Sequence, residues 1–258
     1  MTPRRALVLA RVATGTLVLV RTTPLGRVLP RSFAPGEWVG ATDAHGWTAT
    51  LLGPAFPWAI VVTLVAARTV FAALFAMGVR PRWTGVICAV SGYALLLQDR
   101  FAFVNALHVL YLGTAALALA SPPRSDEADA DAERGVLFVA RFLATIYFWA
   151  GLSKVSAEWL SGRALALEVD TGAFLGPLGR WIAHGAVRSV VAPAVVALEL
   201  LVAVLLVLDR RKPAVILALA FHLGVELTVV PSSLGWQMAL FLWLLWPRPG
   251  VGRPSAAC

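Results

Sequence analysis

The sequence predicts an all-α fold: a polytopic integral membrane bundle of eight transmembrane helices plus one amphipathic or re-entrant segment. Three observations lead there. Hydrophobic residues make up 59% of the 258-residue chain and charged residues only 14%. A soluble domain carries about 25% charged residues. The apolar residues come in long blocks, and the arginines stand at the ends of those blocks, where the positive-inside rule puts them. The net charge of +8 is therefore a topological signal and excludes a nucleic-acid partner. Two cysteines, Cys88 and Cys258, give no disulfide framework.

Ala6–Val20 is the first span, short and interrupted by Arg11. No small-residue cleavage site follows it, so no cleavable signal peptide is expected. Arg21–Pro57, rich in Gly, Pro and Thr, reads as a loop with Trp38 and Trp47 as interfacial anchors. Trp58–Gly78 is the second span and carries Arg68; Arg80-Pro81-Arg82 closes it. Trp83–Leu97 is the third and Phe101–Ala120 the fourth. Within the fourth, Asn105, His108 and Tyr111 recur every three residues and share roughly one face. Ser121–Arg134, with five acidic residues, reads as a polar loop.

Gly135–Leu152 is the fifth span, with Arg141 inside it. Ser156–Gly185 is too polar to span and too apolar for free solution, which fits a short amphipathic or re-entrant segment. Val187–Leu208, with Pro193 and Glu199, is the sixth span. Pro213–Val230, with His222 and Glu226, is the seventh. Leu234–Trp246 is the eighth. Basic flanks at Arg4-Arg5, Arg80-Pro81-Arg82, Arg210-Arg211-Lys212 and Arg248/Arg253 then put both termini in the cytoplasm of a multi-pass protein of the cell inner (plasma) membrane. Arg21, Arg27 and Arg31 run against this arrangement. The whole chain, 1–258, reads as a single transmembrane domain without internal repeat. Only eleven residues follow Pro247, so no soluble substrate domain is expected.

Ionisable groups in or beside spans bear on chemistry, because each costs several kcal/mol if it faces lipid unpaired. Arg68, His108, Arg141, Lys154, Glu199 and His222 are such groups. The plain reading is that Arg141 or Lys154 pairs with Glu199 and the pairs hold helices together. Lys154 invites a second reading. The chain has two lysines against twenty arginines, and Lys154 alone adjoins an apolar segment. Lysine can serve as a base because burial lowers its pKa readily; arginine cannot. A lysine at a helix end also commonly snorkels, so both readings stand. His222 and Glu226, four apart, have a spacing that suits a metal pair, but no HExxH, Cys pair or acidic cluster completes it, and no metal is expected. Walker, dinucleotide, GxSxG and CxxC motifs are absent.

AGLSKVSAEWLSG at 150–162, following Tyr147-Phe148, resembles the signature of the vitamin K-dependent gamma-carboxylase superfamily. Its short bacterial members are known as HTTM, or horizontally transferred transmembrane, domain proteins. In the animal carboxylase the matching stretch has an aromatic pair, Ala-Gly-Leu, two lysines and an acidic-Trp turn. The second lysine falls on Lys154, and Ser153 replaces the first. Asn105-Ala-Leu-His108-Val-Leu-Tyr111-Leu-Gly113, Leu198-Glu199-Leu200 and Phe221-His222-Leu223 extend the likeness, in order, over roughly residues 55–247.

The resemblance implies a lyase/oxygenase-like membrane enzyme. Lys154 would be the base toward reduced vitamin K, a menaquinol-type hydroquinone, with oxygen and carbon dioxide as co-substrates. His108 would orient the quinone oxygen. Asn105, Tyr111, Tyr147, Trp159, Glu199 and His222 would line the quinone or substrate site. The partners would be the lipid bilayer, a lipid quinone and a secreted peptide. The animal enzyme's lumenal domain, which holds its protein substrate, has no counterpart here, which counts against protein carboxylation. A non-catalytic membrane partner in maturation or export of a secreted peptide is the alternative. A small transporter ranks last, because such proteins often show an inverted repeat.

Overall fold

The structure is a computed structural model, and it describes residues 2–22, 56–98, 105–121, 129–170, 178–182, 184–228 and 234–246. Every regular element among them is a helix. In chain order they are α1 (Pro3–Thr22), α2 (Trp58–Met77), α3 (Pro81–Gln98), α4 (Asn105–Ala120), α5 (Asp129–Ser153), α6 (Ala157–Leu160), α7 (Arg163–Asp170), α8 (Gly179–Ile182), α9 (Gly185–Val207), α10 (Arg211–Thr228) and α11 (Leu234–Leu245). The loop expected after Thr22 lies outside the described residues.

Three of these helices are long and apolar enough to cross a membrane: Ala59–Met77, Asp131–Ser153 and Gly185–Val207. Leu107–Ala120 and Leu234–Leu245 are apolar but shorter. Of the eight expected spans, three therefore stand on length and composition among the described residues. Residues 101–104 of the expected fourth span lie outside the described residues, and three other helices carry polar or charged residues that lower their hydropathy. Arg5 and Arg11 dilute α1, Thr84, Gly85 and Ser91 dilute α3, and Arg211, Lys212, His222 and Glu226 dilute α10. The long helices also turn apolar side chains outward. Val70 on α2, and Val190 and Val204 on α9, are all more than half exposed, as a lipid-facing surface requires.

One expectation needs correction. The polar stretch Ser121–Arg134 is not wholly a loop, because α5 already begins at Asp129. Acidic residues in a first turn favour a helix through its dipole, and an ion pair between Arg134 and Asp131, three residues apart, lies on the same turn. The described part of the expected amphipathic or re-entrant segment Ser156–Gly185 contains three short helices, α6, α7 and α8.

The chain divides into two compact units. One comprises Arg4–Gly135 and the other Val136–Cys258 together with the first three residues. In the N-terminal unit, Val18, Ala72, Cys88, Leu96, Leu110 and Tyr111 form a core joining α1 to α4. Helix α2 ends at Gly78, whose φ of 83° suits glycine and whose N–H reaches back into the last turn. In the C-terminal unit, α9 and α10 form a hairpin through Asp209 (φ 57°), where Arg210 N–H donates to Leu205 O at 2.8 Å. Leu165, Ile182 and Ala192 form a smaller core that docks α7 and α8 on α9.

Candidate functional site

The C-terminal unit gathers Tyr147, Lys154, Trp159, Glu199 and His222. Helix α5 supplies the first two. Tyr147, Gly151 and Lys154 follow one another at intervals of four and three residues, so they lie along one face. Gly151 is buried there against α9. A Cβ on it would stand 2.9 Å from Leu200 Cγ and 3.3 Å from Glu199 Cβ. The missing side chain lets the backbones of α5 and α9 approach, and that approach brings Lys154 within reach of Glu199.

Lys154 sits in the turn that ends α5, its N–H bonded to Gly151 O at 3.1 Å. Its ammonium makes three bonds: to Glu199 Oε2 at 2.8 Å, to Glu199 Oε1 at 2.9 Å and to Ala150 O at 2.9 Å. Three donors thus meet three acceptors. The lysine side chain is 21% exposed and the glutamate 6%. Glu199 is the one buried charged residue among those described. Of the two cations expected to compete for it, Lys154 takes it. Arg141 instead donates to Val207 O, a carbonyl at the end of α9. Such end carbonyls lack helical partners, and a cation suits them.

The turn after Lys154 is built to return toward it. Ser156 caps α6, its Oγ accepting from Trp159 N–H at 3.3 Å. The Trp159 ring then lies 5.7 Å from Lys154 Nζ, a cation–π distance. Serine, acid and tryptophan in this order therefore have a mechanical meaning that the residue types alone did not disclose.

Deeper in the unit, Tyr147 Oη and His222 Nε2 are hydrogen-bonded at 2.8 Å, joining α5 to α10. Both side chains are buried, and His222 Nδ1 has no hydrogen-bond partner. His222 and Glu226 do not act together. Glu226 Oε1 accepts the N–H of Gly235 at 3.0 Å and so caps α11. No group of three metal-binding side chains occurs among the described residues.

The remaining candidates belong to the N-terminal unit. His108 Nδ1 and Tyr93 Oη are hydrogen-bonded at 2.9 Å, between α4 and α3. Tyr111 accepts from Arg68 Nη1 at 3.3 Å. Asn105 opens α4, and its side chain lies outside the described residues. The expected shared face thus serves two separate partners. Tyr93 was missed in the sequence, although its position in an apolar helix, with a hydroxyl to satisfy, was a usable signal.

The model of the HTTM domain family matches residues 2–245, nearly the whole chain. No curated protein matches the chain. No solved structure matches it either.

Proposed function

The chain belongs to the HTTM domain family, membrane-associated proteins linked to the vitamin K-dependent carboxylase, and from that premise we propose that Lys154 and Glu199 work as one proton-accepting pair toward the hydroxyl of a reduced lipid quinone. The observation that carries this reading is the Lys154–Glu199 contact at 2.8 Å, largely withdrawn from water at the end of a membrane-length helix. Glu199 can hold the lysine's proton, which leaves a neutral amine to take one from a substrate hydroxyl. The ring of Trp159 lies beside the ammonium, and a flat aromatic ligand would suit the same ground.

The residues fit a hydroquinone by their donor set. The group has two hydroxyls to satisfy, and His222 Nδ1 is a buried polar atom still lacking a partner. A bound menaquinol-type quinone would supply the acidic hydroxyl and the reducing power, with oxygen and carbon dioxide as co-substrates. Tyr147 would keep the His222 ring in one orientation. A secreted peptide is the proposed acceptor substrate.

The experiment compares wild type, Lys154→Arg and Lys154→Ala after each is shown to be folded, following oxygen-dependent conversion of reduced quinone to its epoxide. Arginine keeps the charge but cannot release a proton near neutral pH. Both variants should lose about 10²–10⁴ in rate. Equal turnover by wild type and Lys154→Arg would dismiss the base.

A second reading is favoured by the saturation of the lysine's three donors. In it the pair only fastens α5 to α9, and the protein is a non-catalytic partner in maturation or export of a peptide. It requires that Lys154→Arg behave as wild type in every assay. Under either reading we propose eight crossings of the inner membrane with cytoplasmic termini. Reporter fusions at Lys212 and at the C-terminus test this, and an exterior signal from either would refute it.

A further inference from the structure

The end of the N-terminal unit where α2 gives way to α3 has no part in the proposal above. A groove of about 630 Å³ opens there, lined by Arg80, Pro81, Arg82, Trp83, Val86 and Leu119. The chain shapes it locally. Gly78 ends α2 in the left-handed region, Arg80 turns the chain with φ 44°, and Pro81 occupies the first position of α3, where a missing N–H costs nothing. Arg80 O accepts from Trp83 N–H at 3.0 Å and Thr84 N–H at 3.2 Å, which sets Trp83 in the first turn of α3. Arg82 Nε donates to Ser121 O at 2.9 Å, tying its guanidinium to the end of α4.

The groove brings two chemistries together. Its lining includes Arg80 and Arg82, and no acidic side chain among the described residues pairs with either. Its wall is apolar and open: Trp83 is 71% exposed and Leu119 55%. It lies at the end of a helix of membrane length, the level at which tryptophan and arginine meet lipid headgroups. Unpaired guanidinium groups bind phosphate oxygens bidentately. An apolar lining in the same groove is what a free phosphate would not need and an acyl chain would.

We propose that this groove binds one anionic phospholipid, its phosphate held by Arg80 and Arg82 and one acyl chain laid along Trp83, Val86 and Leu119. The site is independent of Lys154 and of any catalytic role. The test is native mass spectrometry of the purified full chain in mild detergent, with phosphatidylglycerol, phosphatidylcholine and glycerol 1-phosphate as separate probes. Phosphatidylglycerol should be retained and the other two lost. Arg80→Asn with Arg82→Gln should weaken retention roughly fivefold per arginine; asparagine tolerates the left-handed backbone at position 80. Neutralising Arg4 and Arg5 instead should change little. Trp83→Ala, at an exposed position, should weaken retention even if the arginine variant fails to fold. Equal retention of the two phospholipids, equal retention of glycerol 1-phosphate, an equal loss on neutralising Arg4 and Arg5, or indifference to Trp83→Ala would each overturn the proposal.

Discussion

The two units solve the same problem with different chemistry. Each buries polar side chains among apolar helices, and each joins a tyrosine hydroxyl to a histidine ring: Tyr93 to His108 in one, Tyr147 to His222 in the other. Each also brings a cation inward. In the N-terminal unit Arg68 donates to the neutral hydroxyl of Tyr111, at 3.3 Å. In the C-terminal unit Lys154 meets both oxygens of Glu199. The first arrangement gives Arg68 a neutral hydroxyl and leaves its buried Nε without a partner, and no carboxylate among the described residues pairs with it. The second holds two titratable partners in direct contact. Histidine, tyrosine and a cation are therefore not enough to mark a site of proton chemistry; the buried carboxylate makes the difference, and among the described residues it is Glu199 of the C-terminal unit.

The largest expected effect tests that difference. Glu199→Ala strands the ammonium of Lys154 beside apolar neighbours, and breaking one side of a buried pair costs roughly 3–5 kcal/mol. Thermal unfolding in detergent, followed by tryptophan fluorescence, reads this as a clear fall in Tm. Replacing both partners, Lys154→Met with Glu199→Leu, should restore most of the loss, because two apolar groups of similar volume need no counter-charge. Arg68→Met in the N-terminal unit should cost much less, since its partner is an uncharged hydroxyl. Equal losses for Glu199→Ala and Arg68→Met would erase the distinction between the units.

How much of this could be read in advance follows from the kind of interaction. That Lys154 and Glu199 needed partners was legible, because lipid penalises any lone charge. Which cation Glu199 takes was not: Arg141 and Lys154 are both on α5, and the choice depends on the close approach that Gly151 allows and on the free carbonyls at the end of α9. The i, i+4 spacing of His222 and Glu226 announced a shared face but not a shared task. Each side chain reaches a different helix, one α5 and the other the first turn of α11. The all-helical class was legible from the apolar blocks. The start of α5 was missed because acidic residues suit a loop and a first helical turn equally well. The number of crossings depends on helices such as α1 and α10, whose charged residues leave length and composition pulling in opposite directions.

The smallest expected effect sharpens the comparison where the two units look most alike. Tyr147→Phe and Tyr93→Phe remove the same hydroxyl from the same kind of bond. In the C-terminal unit the hydroxyl is the hydrogen-bond partner of a histidine only 6% exposed, whose other ring nitrogen already lacks one. Its loss leaves the whole ring buried and unsatisfied, which costs about 1–3 kcal/mol. In the N-terminal unit His108 is half-buried and keeps a further interaction after Tyr93 is lost. There the expected cost is the net value of an ordinary hydrogen bond, about 0.5–1.5 kcal/mol. Both variants keep the aromatic ring and its packing, so the difference between their Tm values isolates the consequence of burial. A Tyr93→Phe loss as large as that of Tyr147→Phe would mean that His108 depends on its tyrosine as fully as His222 does, and that the two units differ only in their carboxylate.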